Sequence, residues 1–243
     1  MKYIASCSFG KDSLAAIITR FLHNEPIDEC VYCRVMFDEK TSAELPEHEE
    51  WIHNTAIPLL ERRYGLKTTI VQSEKNYCGC FYNVVKKNTK NKGRMWGFPF
   101  QKYPWCNALK RDSIKIYENE IGNHKSIVGI AVDEDERVEK AKAKGQILPL
   151  VDYNITESQA FEIAKKNDFL SPAYSNGRTR LGCWFCHNQR LSELRRLRKE
   201  HPELWDKLLV LDEASPVTFK PAATLRYLDE RFYNEESQIG LMD

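Results

Sequence analysis

Along the first two-thirds of the chain, short apolar runs alternate with longer stretches whose apolar residues recur every three or four positions. The runs Lys2–Phe9, Cys30–Phe37, Lys67–Gln72 and Ile127–Val132 read as strands. Asp12–Leu22, Pro46–Tyr64 and the stretch near Cys106–Glu120 have the spacing of amphipathic helices. Pro46 suits a first helical turn, where its missing N–H leaves no bond unmade. The resulting β-α-β-α order predicts an α/β fold, a doubly wound, mostly parallel sheet with flanking helices.

Beyond about residue 150 the pattern turns helical. Thr156–Asn167 opens on a threonine suited to an N-cap. Arg190–Lys199 gathers Leu191, Leu194 and Leu197 on one face among Arg195, Arg196 and Arg198, the pattern of an amphipathic helix that needs a core to pack on. Pro202–Leu211 and Pro221–Phe232 follow. The expected organisation is an α/β domain over residues 1–190 and a helical C-terminal extension over residues 191–243 packed on it. Residues 86–104 fit neither period. Lys86, Lys87, Lys90, Lys92 and Arg94 precede Trp96, Phe98, Phe100 and Tyr103. This is either a solvated loop with an aromatic plug or a flap over an anionic or stacking substrate.

Composition narrows the class. The 243 residues are 42% hydrophobic and 29% charged, which excludes a disordered chain. No uncharged apolar run approaches the ~18–20 residues of a membrane span, and the opening residues turn polar too soon for a signal peptide. The net charge of +1 leaves nucleic-acid contact to local patches. Eight cysteines in a chain of this size, with no export signal, predict a reduced, cytoplasmic protein without a membrane partner, some thiols binding metal and others buried. Cys30 and Cys33 lie on an expected buried strand and read as core, and a packing role is expected of Cys7. His23, His48, His53, His124 and His201 read as surface or helix-capping residues.

The densest chemistry follows the first strand. Ser6-Cys7-Ser8-Phe9-Gly10-Lys11-Asp12-Ser13 joins a strand to a helix, where backbone N–H groups and the positive end of the helix dipole can face an anion. Ser8 and Ser13 offer hydroxyls and Lys11 a cation. The spacing is not that of a Walker loop. It resembles the S-G-G-K-D-S motif of the PP-loop ATP pyrophosphatases, with Phe9 at the first glycine. Four later segments resemble the phosphoadenosine-phosphosulfate-reductase-like (sulfurtransferase-like) branch of that superfamily: Phe37-Asp38-Glu39 with Thr41, Glu44 and Pro46; Pro104-Trp105-Cys106-Asn107 with Leu109-Lys110; Gly129 to Arg137, including Asp133 and Glu134; and Ser171-Pro172-Ala173-Tyr174 followed by Gly182-Cys183-Trp184-Phe185-Cys186.

The resemblance implies an adenine nucleotide alpha hydrolase-like fold that binds ATP and cleaves it between the α and β phosphates. It places the nucleotide against Ser6, Ser8, Phe9, Gly10, Lys11, Asp12, Ser13, Phe37, Asp38, Gly129, Asp133, Glu134 and Arg137, with Lys11 and Asp12 as catalytic residues. Asp12 and Asp38 are the expected Mg²⁺ ligands, since hard cations take oxygen. Arg178 and Arg180 are candidates for an anionic substrate. Sulfonucleotide reductases of this branch carry a redox-active cysteine in a tail segment and tend to lose the loop lysine and aspartate. Here no cysteine follows Cys186, and Lys11 and Asp12 are both present. ATP is therefore the expected reactant, and sulfur transfer the expected use. The alternatives are a sulfonucleotide reductase-like enzyme and a nucleotide-binding regulatory or defence module without turnover.

Cys183-x-x-Cys186 offers two thiolates to one ion, and Cys106 is the expected third ligand. Zinc would take a fourth from Cys80, Cys78 or His187. A [4Fe-4S] cluster on three cysteines would keep an open iron, as the tRNA thiolases that this arrangement resembles use to carry sulfur. The acceptor stays open between a nucleic acid such as tRNA or DNA and a small metabolite, with a sulfur donor protein as a possible partner.

Overall fold

The computed structural model describes residues 1–86, 90, 92–175 and 177–239; Lys87 of the basic segment lies outside them. Four strands, β1 (Lys2–Cys7), β2 (Glu29–Arg34), β3 (Thr68–Gln72) and β4 (His124–Val128), form one sheet in the order β3-β2-β1-β4. Every pairing is parallel. The protein therefore has the expected α/β fold. Ser6 of β1 pairs with Val31 on one side and Val128 on the other. The chain moves outward from β1 to β3 and then returns to place β4 on the other flank of β1. The order reverses at β1, and in open parallel sheets the crevice beyond the strand ends at such a reversal is where ligands bind.

The central strands β1 and β2 carry apolar runs because they are buried. Ile4, Ala5, Cys7, Cys30, Val31, Tyr32 and Cys33 are each at most 3% exposed, so Cys30 and Cys33 are core residues, as expected. Strand β4 ends at Val128, four residues before the expected Val132. Gly129 is the reason. A Cβ there would lie 2.4 Å from the carbonyl oxygen of Asp12, so the chain leaves the sheet by passing directly over the first turn of α1 (Lys11–Leu22). Val132 then bonds to the Ile155 carbonyl, outside the sheet.

Helix α1 packs through small residues. Ala15 and Ala16 meet Ala131, Leu150 of α7 (Pro149–Asp152) and Ala160 of α8 (Glu157–Lys166). Thr156 caps α8 and closes a capping box with Gln159. The expected single helix over 46–64 comes in three pieces, α2 (Pro46–Trp51), a π turn at Ile52–Ala56 and α3 (Ile57–Tyr64). Pro58 has no N–H for the carbonyl four residues back, and the wider π turn absorbs the break. Gly65, at φ 63°, ends α3 in the left-handed conformation.

The chain divides into two compact units, Met1–Val35 with Glu44–Ser73 and Lys110–Leu181, and Met36–Ala43 with Glu74–Leu109 and Gly182–Asp243. This division does not follow the expected boundary at residue 190: residues 36–43, 74–109 and 182–190 group with the C-terminal helices. The first unit holds the sheet and also α6 (Asp135–Lys142). The second holds α4 (Tyr77–Phe81), α9 (Leu191–Glu200), α10 (Pro202–Ala214) and α11 (Leu225–Ile239). Helix α5 (Asn107–Ile121) begins in the second unit and continues in the first. Leu194 and Leu197 of α9 are buried, Arg195 and Arg198 pair with Glu235, Asp229 and Glu236 of α11, and Arg196 pairs with Glu193 and Glu200. The arginines of α9 thus serve packing within the unit. In the aromatic segment Phe98 is fully buried against Phe81 and Phe219, with centroids 5.1 and 5.0 Å away, while Phe100 and Tyr103 are exposed. Phe98 is the plug of the expected loop.

Candidate functional site

The loop after β1 is shaped by its own side chains. Phe9, where the motif has glycine, stands at φ 55°, in the left-handed region. Its ring is fully buried and meets Tyr32 edge-on, 5.3 Å between centroids. A left-handed non-glycine residue costs of order 1–2 kcal/mol, and burial of an aromatic ring offsets it. The side chain of Phe9 thus belongs to the core, and only its backbone is left for a ligand. Three loop amides are taken up by hydrogen bonds that fix the turn: Ser8 N–H to Ser13 Oγ at 3.3 Å, Phe9 N–H to Cys7 Sγ at 3.3 Å, and Lys11 N–H to the Tyr174 hydroxyl at 3.1 Å. Ser13 in turn donates to the Gly10 carbonyl at 2.9 Å. Gly10 caps α1 with an extended backbone, and the first-turn amides of a helix have no intrahelical acceptor, which leaves them suited to an anion.

Lys11 is 8% exposed at its side chain and pairs with Asp12 at 2.6 Å, with Glu157 3.9 Å away. Burial pushes the Asp12 carboxyl above its ordinary value, the Lys11 ammonium opposing it. Tyr174 is the residue closing the loop from above: its hydroxyl would lie 3.7 Å from a Cβ at Gly10, and burial pushes it up to about 12, so it keeps a proton to donate. Beside it is a buried pair. Burial pushes Glu44 up to about 7, with Lys110 opposing and Glu49 adding. His48 is driven down to about 4 by burial and lies 2.8 Å through Nδ1 from Ser171 Oγ. His48 is 1% exposed, which corrects its reading as a surface or capping residue; its partner lies 123 residues away, beyond any local signal.

The other expected nucleotide residues divide. Gly129 touches Asp12 and Ser13, so its place is set by close packing on the loop. Asp133 accepts from the first amide of α8, at Glu157, at 3.0 Å. Glu134 and Arg137 pair with one another and both act electrostatically on Asp12. Arg178 is buried and 3.7 Å from Glu47, while Arg180 is exposed. In the second unit, the Phe37 ring is 3% exposed, among Trp184 at 4.5 Å, Phe185 at 5.3 Å and Tyr77 at 5.7 Å. A base could stack on it only by displacing them. Asp38 accepts from Lys207 Nζ at 2.7 Å and from the amides of Lys40 and Thr41, which hold its carboxyl below the usual range against the effect of burial.

None of the eight cysteines is in a disulfide. The Cys183–Cys186 segment is a tight turn, Cys186 N–H to the Cys183 carbonyl at 2.9 Å. Gln189 clamps it through Nε2 to the carbonyls of Cys183 and Trp184 at 2.9 and 2.7 Å. Trp184 anchors it through Nε1 to the Ser42 carbonyl at 2.7 Å. Lys220 holds the exit through the His187 carbonyl at 2.6 Å. Spacing gave no sign of Gln189 or Lys220. Cys106 lies in the turn that starts α5, and burial, then the charge of Cys186, pushes its thiol up to about 11. Cys78 is also raised to about 11, by burial and by Asp38. Among the described residues no group of three or more His, Cys, Asp or Glu is arranged to hold a metal ion as it stands. Yet Cys106, Cys186, Cys78 and Cys183 all act electrostatically on one buried hydroxyl, that of Tyr77. Tyr77 Oη, Trp105 Nε1 and His187 Nδ1 are buried polar atoms with no hydrogen-bond partner. A soft, sulfur-rich donor set beside unpaired buried donors fits a thiolate-bound metal. Cys80, the expected fourth ligand, is raised by burial with Lys75 opposing and is not among the cysteines acting on Tyr77.

No family model matches the chain. An uncharacterized protein of Methanocaldococcus jannaschii is 28% identical over 173 residues, 66% of this chain and 33% of that protein, so the matched region spans about a third of the relative's length. A U34-tRNA thiolase, NcsA from Methanococcus maripaludis with its [4Fe-4S] cluster, aligns with a TM-score of 0.45 and 14% identity over 95% of this chain and 80% of that one. Among the described residues no helix is long and apolar enough to cross a membrane. By its loop and the segments downstream the chain resembles the PP-loop ATP pyrophosphatases, and it has the parallel α/β fold that this resemblance implies.

Proposed function

We propose that this protein is an ATP-dependent enzyme of the PP-loop type, cleaving ATP to AMP and pyrophosphate to activate an acceptor for sulfur transfer. The observation that carries the reading is the loop at the strand-order reversal, its turn fixed by bonds to Ser13, Cys7 and Tyr174 and leading to the N-terminus of α1, where Lys11 pairs with Asp12. An acceptor oxygen attacks the α-phosphorus, the bond to the bridging oxygen breaks, and pyrophosphate leaves. A sulfur nucleophile then displaces AMP. Lys11 and the first-turn amides of α1 offset the charge that builds on the phosphates, and Tyr174 donates its proton as a hydrogen bond. Asp12, paired with Lys11 at 2.6 Å, and Asp38, paired with Lys207 at 2.7 Å, are the proposed Mg²⁺ ligands, and each would exchange its lysine for the cation.

The thiols Cys106, Cys183 and Cys186 would hold a zinc ion or a [4Fe-4S] cluster, which supplies a Lewis-acidic metal or an iron able to carry sulfur. We propose tRNA or another nucleic acid, or a small metabolite, as the acceptor, and cytoplasm as the compartment. Pyrophosphate release from ATP, measured with tRNA, DNA and metabolite acceptors and followed by sulfur incorporation, tests the reading. Release that depends on an acceptor and vanishes in Lys11→Ala supports it. ATP binding without release under every acceptor would leave a nucleotide-binding module instead.

A further inference from the structure

Tyr77 lies between the two cysteine-bearing segments. Its ring is 4.2 Å from Phe185, inside the Cys183–Cys186 turn, and 4.9 Å from Trp105, which precedes Cys106. Tyr77 is fully buried and Trp105 is 7% exposed. Both carry a polar hydrogen, and neither Tyr77 Oη nor Trp105 Nε1 has a partner. Two orphaned donors on rings packed against each other are not what a packed interior tolerates without cause, since phenylalanine would fill the same space with no polar atom to satisfy. The other buried tryptophan of this cluster, Trp184, has its Nε1–H bonded to the Ser42 carbonyl. The segment thus satisfies its indole where a carbonyl is offered, and leaves two donors unspent beside the thiols.

We propose that Tyr77 and Trp105 are positioning residues of the cysteine site, their O–H and N–H donating hydrogen bonds to sulfur once Cys106, Cys183 and Cys186 have bound a metal. The inference rests on the metal reading above and adds to it the source of the second contact shell. Thiolates and sulfides carry the charge of such a site, and donors to sulfur both stabilise the deprotonated ligands and raise the potential of a cluster. The thiol form of the site has little to accept with, so these donors have their acceptors only in the loaded protein.

This predicts a reversal of sign that a merely structural tyrosine would not give. Tyr77→Phe removes one oxygen and no volume to speak of. In the reduced, metal-free full-length protein it should leave the melting temperature unchanged or raised. In anaerobic titration with Co²⁺, read by thiolate-to-cobalt charge-transfer absorbance, it should weaken binding by ~10–100-fold, the cost typical of losing a partner to a ligand. Trp105→Phe should weaken Co²⁺ binding in the same direction, and a reconstituted iron–sulfur cluster should show a lower reduction potential in Tyr77→Phe. Equal Co²⁺ affinity in wild type and both variants overturns the inference and keeps the metal site. A Tyr77→Phe protein that melts lower without metal yet binds Co²⁺ as tightly as wild type assigns the hydroxyl to folding and also overturns it. Wild type that binds neither Co²⁺ nor Zn²⁺ and takes up no cluster rejects the metal reading, and this inference with it.

Discussion

Glu44→Gln should stabilise the protein progressively as pH rises from about 4.5 to 7, with the full effect held above neutrality. Burial holds the Glu44 carboxyl at about 7, against 4.5 for an ordinary glutamate, with Lys110 opposing the rise and Glu49 adding to it. A carboxyl raised by folding contributes its full stability below pH 4.5 and loses it as pH climbs through about 7. Above that the fold must carry a buried carboxylate, at roughly 3 kcal/mol for a difference of this size. Glutamine has nearly the same shape and nothing to ionise. Its advantage should be near zero at pH 4.5 and grow to about 2–3 kcal/mol at pH 8.5. The neighbouring His48 runs the other way. Driven down to about 4 from 6.5, it contributes stability above pH 6.5 that is lost as pH falls through 4. Its Nε2 lies 3.9 Å from Glu44, so the two are coupled, and the comparison is made from pH 5 upward, where His48 is neutral in the fold. Urea unfolding of wild type and Glu44→Gln at pH 5, 6, 7, 8 and 8.5 reads the difference directly. A constant difference across the series would show that Glu44 does not titrate in the fold near neutrality.

Lys11→Ala removes a charge-assisted contact of about 1.5–3 kcal/mol, so calorimetry should show ATP affinity reduced by roughly 10–100-fold and pyrophosphate release should fall with it; unchanged values would move the nucleotide away from this loop. Gly129→Ala places a Cβ 2.4 Å from the Asp12 carbonyl oxygen, a backbone atom that cannot rotate aside, and should cost about 1–3 kcal/mol in urea unfolding; a neutral result would mean that β4 does not cross α1 so closely. Cys183→Ser should abolish the broad absorbance near ~400 nm of anaerobically prepared iron–sulfur protein, or remove one equivalent of zinc by metal analysis; metal retained at wild-type stoichiometry would take Cys183 out of the site.

The sheet was legible in the sequence because its central strands β1 and β2 are buried and carry continuous apolar runs, while the edge strand β3, with no buried residue, still shows as a β-branched run. What escaped were features set by distant contacts. Strand β4 ends at Val128 because Gly129 has to clear Asp12, a partner more than a hundred residues earlier. The last helix starts at Leu225 instead of Pro221, after a turn in which Lys220 and Ala223 bridge. His48 lies in Pro46–Trp51 among three glutamates and reads as surface until the fold brings Ser171 to it. Tyr77 carries no pattern at all; only folding puts it between the segments of Cys106 and Cys183.

Phe9 shows why one apparent defect in the motif is part of the construction. A glycine at this position would meet the left-handed backbone at no steric cost, and its absence reads in the sequence as a weakened loop. In the fold the ring is the anchor that fixes where the loop turns, fully buried against Tyr32 of the neighbouring strand. With Phe9 fixed, its own amide reaches Cys7 Sγ, and Ser8, next to it, presents its amide to Ser13. Replacing Phe9 with glycine would therefore relieve the strain of one residue and release the orientation of several amides together. The strained conformation is maintained by core packing on one side and on the other fixes the turn that leads into α1, whose first-turn amides have no intrahelical acceptor and can meet a phosphate group.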